Sequence, residues 1–188
     1  MKHRANTFLG LSAIVLCWAG SLPAQQIDVY FSPRGGCTAA ICKQIAEAKS
    51  TILVQAYNLT SAPITRELLA AHARGVKVAI IVDPSQQNPH VSTAFALHAA
   101  GIQLFTDRVE KIHHNKVIII DDHLVITGSF NFTTNAELHN AENLLLITDK
   151  KTAAAFAANW QFHKQHSQPF SPQPGERKKQ TTPPQRSR

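Results

Sequence analysis

The sequence predicts a single α/β domain in which a mixed β-sheet is layered with helices on its faces. Three observations lead to this fold class. Short β-branched and apolar runs alternate with helical patterns from Ile27 to Trp160. Near the end of that stretch two strand patterns follow each other directly, and such a hairpin makes the sheet mixed rather than purely parallel. The chain has 188 residues, of which 44% are hydrophobic and 16% charged, which suits one ordinary domain.

Each element follows from a local pattern. Strands are predicted where β-branched and apolar residues cluster between turn signals, at residues 27–31, 51–56, 77–82, 103–106, 117–120, 124–127 and 144–148. Asp121-Asp122 is turn chemistry and joins the fifth and sixth of these strands into a hairpin. Helices are predicted from apolar residues at helical spacing, at residues 38–49, after Pro63 up to Gly75, around Val91, Phe95 and Ala99, and at the end around Ala153, Phe156, Ala157 and Trp160.

The first 24 residues have the pattern of a secretory signal peptide. Lys2 and Arg4 precede an uncharged run over residues 8–20, and Ser21-Leu22-Pro23-Ala24 follows, so cleavage is expected after Ala24. The alternative is a membrane anchor, but the run is shorter than the roughly 20 residues that a spanning helix needs. The sequence therefore predicts an exported protein, periplasmic or secreted.

The remaining chain divides into a nearly neutral domain and a basic tail. The formal net charge is +7, of which Lys2 and Arg4 contribute +2, residues 167–188 contribute +4, and residues 25–166 contribute +1. Residues 167–188 are rich in Pro and Gln and are predicted to be a disordered tail that does not pack a core. Such a tail is compatible with polyanionic partners, but a solvated disordered end is the simpler interpretation.

Two cysteines remain after the predicted cleavage site, Cys37 and Cys42. On one regular helix, residues five apart point away from each other, so a disulfide requires Cys37 to lie outside the helix. Gly35-Gly36 could allow this, and the sequence leaves the disulfide open. No further ligands stand at the spacing of a zinc site around these cysteines.

Two neighbouring strands are expected to bring polar side chains to one pocket. His114 and Lys116 stand two positions apart at the start of a strand, so an imidazole and an ammonium project from one face. Ser129 and Asn131, at the end of the adjacent strand, share a face by the same period. Together they offer a base or nucleophile, a cation and two hydrogen-bonding groups to one ligand.

Two carboxylates complete the set of candidates. Asp121 lies at an odd offset from Lys116 and in the predicted turn, so we expect it to have a structural or supporting role. Glu142 is expected to orient His114 by accepting a hydrogen bond from its second ring nitrogen. The candidate site residues are therefore His114, Lys116, Asp121, Ser129, Asn131 and Glu142.

The spacing of these residues resembles a known family. The segment fits H-x-K-x4-D-x6-G-S-x-N with His114, Lys116, Asp121, Gly128, Ser129 and Asn131, the pattern of the phospholipase D superfamily. Further segments resemble the small bacterial endonucleases of that superfamily: Tyr30-Phe31-Ser32-Pro33, Gln55-Ala56-Tyr57, Arg74-Gly75-Val76, residues 128–133 and Glu142-Asn143. The resemblance covers nearly the whole predicted domain and implies a phospholipase D/nuclease-like fold.

The resemblance also implies a mechanism without a metal or other cofactor. In this family a neutral histidine attacks phosphorus, a second histidine protonates the leaving oxygen, and water then releases the phosphohistidine. The chain carries one copy of the motif, and short family members complete the site by pairing two chains about a two-fold axis. A homodimer in which two copies of His114 meet is therefore expected.

The expected substrate is DNA or RNA, cleaved endonucleolytically with low sequence specificity, because no element that would read bases is evident. A phospholipase D acting on phospholipids is the alternative, though no membrane-lying helix is evident. A nucleic-acid-binding module without catalysis is a third possibility. Of the ten histidines, we assign His113 no catalytic role and leave five at the surface: His72, His90, His98, His163 and His166.

Overall fold

The computed structural model describes residues 25–88 and 92–172. The predicted signal peptide, His90 and the tail beyond residue 172 lie outside these residues. Within them, no helix is both long enough and apolar enough to span a bilayer.

The described residues form one mixed sheet of eight strands with helices on both faces, which confirms the predicted fold class. The strands are β1 (Gln26–Ser32), β2 (Thr51–Ala56), β3 (Lys77–Val82), β4 (Gln103–Thr106), β5 (Lys116–Ile120), β6 (Leu124–Gly128), β7 (Glu142–Thr148) and β8 (Gln168–Pro169). Their order across the sheet is β1-β7-β6-β5-β2-β3-β4-β8. The pairs β2–β3 and β3–β4 are parallel, and the other neighbouring pairs are antiparallel.

The helices are α1 (Cys37–Glu47), α2 (Ala62–Ala73), α3 (Ala94–Ala99), α4 (Thr134–Leu138) and α5 (Lys150–His166), with a 3-10 turn at Pro84–Gln87. Alternating side chains of the strands supply two cores. Ile118 and Ile120 pack with α1 and α2 on one face, whereas Val117 and Ile119 pack with Trp160 of α5 on the other. Strand β5 is buried along its whole length, which fixes the position of the residues that precede it.

The hairpin between β5 and β6 forms as predicted. Asp121 and Asp122 both have positive φ, 50° and 55°, and His123 N–H donates to the Ile120 carbonyl at 3.2 Å. Positive φ at both central residues is the mark of a type I′ turn, whose twist matches that of the strands. The turn lies at the opposite end of β5 from Lys116.

The predicted boundary of the tail is wrong. Gln168 and Pro169 form β8, which pairs with β4, and Phe170 is buried against Phe95. The folded part therefore extends past residue 166, because a single large aromatic side chain gains more by burial than the surrounding Pro- and Gln-rich sequence suggests.

Helix α1 begins one residue earlier than the sequence predicted, and helix α4 was found only in the structure. Cys37 is the first residue of α1 rather than outside it, and both cysteine thiols are free. Burial raises the pKa of Cys37 to about 11, so this thiol stays protonated. Helix α4 was not predicted, and the carboxylate of its Glu137 accepts hydrogen bonds from Gly36 N–H and Thr38 N–H at the start of α1.

Candidate active site

Five of the six candidate residues line one open pocket of about 550 Å³ at the end of the sheet. They are His114, Lys116, Ser129, Asn131 and Glu142. His114 lies in the loop that enters β5, Lys116 is the first residue of β5, Ser129 directly follows β6, and Glu142 opens β7. The ends of three adjacent antiparallel strands thus build the pocket, as the hairpin prediction required.

The Lys116 side chain is held by the His114 carbonyl and the Tyr57 ring. Its side chain is buried, with 7% of the residue exposed, and its Nζ donates to the His114 carbonyl at 2.7 Å. The ammonium also lies 5.0 Å from the centre of the Tyr57 ring. Burial lowers the pKa of Lys116, and the charge of Glu142 partly opposes this. The result is a poorly hydrated cation whose field reaches an anion in the pocket more strongly than it would in water.

His114 is exposed at the pocket, with one side of its ring covered. The ring centre of Tyr57 lies 4.6 Å from that of His114, with 50° between the planes. This contact limits the rotation of the imidazole while leaving it open to a ligand. Tyr57 follows β2, which pairs with β5 so that Ala56 is opposite Lys116.

Ser129 is fixed by a reciprocal pair of hydrogen bonds with Asn143. The Ser129 hydroxyl accepts from Asn143 N–H at 3.0 Å, and Ser129 N–H donates to Asn143 Oδ1 at 3.3 Å. The preceding Gly128 has φ of 144°, and a Cβ on it would lie 2.3 Å from the Asn143 carbonyl oxygen. Glycine is therefore required for the close approach of β6 to β7 that positions Ser129.

Asn131 and Glu142 have different surroundings. Asn131 Oδ1 is buried and has no hydrogen-bond partner among the described residues, so its carboxamide would gain a hydrogen bond by contact with a ligand.

The expected hydrogen bond from His114 to Glu142 is absent among the described residues. Instead Glu142 Oε1 accepts from Asn140 Nδ2 at 3.1 Å, because Asn140 lies just two residues before it. The carboxylate of Glu142 faces the pocket without orienting His114 directly.

Asp121 lies away from the pocket and has a structural role, in agreement with its position in the turn. Its carboxylate accepts from the backbone N–H groups of Lys49, Ser50 and Thr51 at 2.7 to 2.9 Å and from the Ser50 hydroxyl. Burial raises its pKa, but these hydrogen bonds outweigh that effect and hold the pKa at about 2. Asp121 therefore ties the hairpin turn to the segment between α1 and β2 and is not part of the reacting group.

The assignment of His163 and His166 to the surface is wrong. Their side chains are 13% and 22% exposed, and both contact the buried carboxylate of Asp107. His113 also contacts Asp107 and does not line the His114 pocket, in agreement with its assignment to a non-catalytic role.

Sequence reasoning missed three residues at or beside the pocket: Tyr57, Asn143 and Phe156. The first two stand in the segments that resemble the family, but Phe156 carries no signal beyond helical spacing.

Among the described residues, the pocket holds one imidazole, that of His114. This histidine, a buried lysine, a hydroxyl and an unsatisfied carboxamide converge on a space large enough for a phosphate diester. Such a set can supply a nucleophile and stabilise negative charge on non-bridging oxygens. Within residues 25–88 and 92–172, no second imidazole lines the pocket to serve as the acid.

Comparison with known proteins gives consistent matches. Residues 41–163 match the family described as cardiolipin synthase, PLD-like domain. A protein from Rickettsia prowazekii named phospholipase D is 45% identical over 139 residues, which cover 74% of this chain and 68% of the relative.

Two solved structures match nearly their whole length. Nuc from Salmonella typhimurium, described as a phospholipase D family member, has a TM-score of 0.74 and 36% identity, and the match covers 78% of this chain and 99% of that chain. NucT from Helicobacter pylori has a TM-score of 0.73 and 25% identity, with 78% and 100% covered. The eight-stranded fold, the His114 pocket and these matches agree, and the chain belongs to the phospholipase D superfamily as a phosphodiesterase.

Proposed function

We propose that this protein is an exported endonuclease of low sequence specificity, which cleaves phosphodiesters without a metal and acts as a two-fold homodimer. The observation that carries the proposal is the convergence of His114, Lys116, Ser129 and Asn131 on one open pocket. An inert binding module would need cations there but not an exposed imidazole beside them.

In the proposed reaction, a neutral His114 nitrogen attacks phosphorus, an N–P bond forms, and the bond to the leaving oxygen breaks. The leaving oxygen takes a proton from the imidazolium of His114 in a second copy. That imidazole, now neutral, removes a proton from water, whose oxygen attacks phosphorus and displaces the first His114. Lys116, the Ser129 hydroxyl and the Asn131 carboxamide stabilise the charge on the non-bridging oxygens.

An apolar strip beside the pocket supports pairing of two copies. On β1, Ile27, Val29 and Phe31 are 47%, 51% and 65% exposed and point to one face. Their strand leads directly to the pocket, because Ser32 is paired with Glu142. A contiguous apolar strip at the edge of a site that holds one imidazole is suited to self-association.

Similarity to Nuc and NucT over nearly their whole length supports a nucleic-acid substrate. The match to Nuc and NucT covers 99% and 100% of those chains and 78% of this chain, so the described domain corresponds to nearly the whole of each of those proteins. The resemblance of the sequence is likewise to small bacterial endonucleases. A phospholipase D acting on phospholipids is the second candidate, and the relative named phospholipase D favours it.

Cleavage assays in EDTA separate these candidates. Purified protein is incubated with supercoiled plasmid, single-stranded DNA, RNA and phosphatidylcholine vesicles, beside His114→Ala and the matched control His123→Ala, an exposed histidine in the hairpin turn. We expect nucleic acid to be cut by the protein and by the control, and not by His114→Ala. Hydrolysis of lipid alone would reject the nuclease, and nucleic-acid binding without cleavage would reject the enzyme.

Export and pairing each have a direct measurement. N-terminal sequencing of protein recovered from the periplasm or medium should begin at Gln25, and full-length protein retained in the cytoplasm would reject export. Sedimentation at assay concentration should give a dimer, and an active strict monomer would reject the shared site.

A further inference from the structure

A second cluster of ionisable side chains lies where the segment after β4 meets the end of α5. Asp107 directly follows β4, and Glu110 comes three residues later. His163 and His166 are also three residues apart and lie in the last turn of α5, where this spacing places them on one helix face. None of the four lines the pocket of His114.

The potential ligand atoms of these residues have the spacing of a metal coordination shell. Asp107 Oδ2 lies 2.9 Å from His163 Nδ1 and 3.3 Å from His166 Nε2. Glu110 Oε1 is 3.7 Å from His163 Nδ1, and Glu110 Oε2 is 3.6 Å from His166 Nε2. All four ligand atoms lie within 4.8 Å of one another. Around tetrahedral zinc with bonds of about 2.0–2.1 Å, neighbouring ligand atoms stand about 3.3–3.4 Å apart.

Hydrogen bonding alone satisfies this cluster poorly. Three imidazoles, those of His113, His163 and His166, direct nitrogen atoms at the same oxygen, Asp107 Oδ2. At the same time His113 Nε2 and Glu110 Oε2 are buried without a hydrogen-bond partner among the described residues. Buried polar atoms are normally satisfied, and a cation between these side chains would give Glu110 Oε2 the partner that it otherwise lacks.

The central carboxylate is held ready for a cation. Asp107 is fully buried, its Oδ1 accepts from Val109 N–H at 3.1 Å, and His113 Nδ1 lies 3.1 Å from its Oδ2. Carboxylate ligands that are fixed by outer hydrogen bonds are typical of metal sites.

We propose that Asp107, Glu110, His163 and His166 bind one divalent transition-metal ion, of which zinc suits the ligands best, in a structural site. Two imidazoles and two carboxylates form a nitrogen–oxygen set that zinc accepts, and four protein ligands fill its preferred shell. The ion would join the segment that leads to His114 to the end of α5. Because no step at phosphorus uses it, this proposal stands apart from the proposed nuclease function.

The test is metal binding by the purified protein. After treatment with a chelator, the protein is titrated with ZnCl₂ by calorimetry and with CoCl₂ by visible absorption, and bound metal is counted by mass spectrometry. We expect one ion per chain, cobalt bands of a four-coordinate site, and a higher melting temperature with zinc. His163→Ala and His166→Ala should lose all three effects, whereas His123→Ala, the matched exposed histidine, should keep them.

Glu110→Gln covers the case in which a histidine variant fails to fold. The Glu110 side chain is 37% exposed, and glutamine keeps its shape while removing the anionic ligand. Zinc affinity should fall by about 10- to 100-fold, the loss that removal of an outer partner alone can cause. No bound metal in the original protein, or binding unchanged in Glu110→Gln and in either folded histidine variant, would overturn the site. Cleavage of DNA that depends on His114 would be unaffected by that outcome.

Discussion

Replacement of Asp121 by asparagine should destabilise the fold without removing the chemistry. Asparagine has the same shape and tolerates the positive φ of this position, so the turn can persist. It cannot accept with both side-chain atoms, and one of the N–H donors from the segment Lys49–Thr51 would face an amide group instead. The variant therefore removes the charge-assisted hydrogen bonds of Asp121 while it keeps the conformation of the turn, so the loss of stability measures those hydrogen bonds.

The magnitude follows from the pKa of Asp121. Its pKa falls from 3.8 to about 2 on folding, which corresponds to about 2 kcal/mol of stability at neutral pH before solvent screening is considered. Because the group is partly solvated, we expect the measured loss to be about 1–2 kcal/mol. A depressed pKa contributes stability above the unfolded pKa, so the difference between the two proteins should shrink as the pH falls from about 4 towards 2.

Urea unfolding followed by far-ultraviolet circular dichroism, at pH 7 and at steps down to pH 2.5, measures both effects. Asp122→Asn is the matched control, because Asp122 is an exposed neighbour with positive φ and no side-chain hydrogen bond among the described residues. Phosphodiesterase activity per folded molecule should stay within about three-fold in both variants. Unchanged stability in Asp121→Asn together with lost activity would refute the structural role and return Asp121 to the reacting group.

Three further substitutions test the pocket and its surroundings. Gly128→Ala should lower the free energy of unfolding in urea by about 3 kcal/mol, because the new Cβ would lie 2.3 Å from the Asn143 carbonyl oxygen. The control Gly36→Ala, which has a positive φ but open space around it, should lose about 1 kcal/mol, and equal losses would contradict the close approach of β6 to β7. Lys116→Met should lower kcat/KM by about 100- to 1000-fold with little loss of stability, and near-normal activity would exclude the lysine from charge stabilisation. Phe31→Lys, at a position 65% exposed, should shift the protein towards monomer in sedimentation and lower its activity in parallel, and an unchanged dimer would place the interface elsewhere.

Much of the fold was predictable because burial dominates its strands. Short β-branched and apolar clusters between turn signals predict β2, β3 and β4 with the bounds that the structure has. Helix α4 is different, since its five residues are too few to show apolar periodicity. It begins at the hydrogen bond that Ala136 N–H donates to the Thr133 hydroxyl. Strand β8 depends on the tertiary burial of Phe170, which no local pattern reveals.

At the site too, local periodicity was predictive and tertiary contacts were not. The period of two along a strand correctly predicts that His114 faces the pocket with Lys116, and Ser129 with Asn131. Spacing does not give register between strands distant in sequence, so the contact of Tyr57 with His114 was not predictable. Side-chain hydrogen bonding is equally hidden, which is why Glu142 pairs with Asn140 rather than with His114.

The cluster around Asp107 shows a third kind of limit. The pairs Asp107–Glu110 and His163–His166 are visible as two i, i+3 patterns, but they are more than fifty residues apart in the chain. Only the packing of α5 beside the end of β4 brings them together. Histidines at the end of a helix are otherwise ordinary surface residues.

Subunit mixing measures most directly whether one catalytic site needs His114 from two chains. Wild-type protein is allowed to exchange subunits with increasing amounts of His114→Ala, and plasmid nicking in EDTA is followed at a fixed amount of wild-type chain. If both histidines serve one site, activity per wild-type chain should fall with the wild-type fraction, to about half in an equal mixture, since mixed dimers hold one imidazole. Activity that stays constant as the variant is added would show that each chain acts alone and would contradict the shared site.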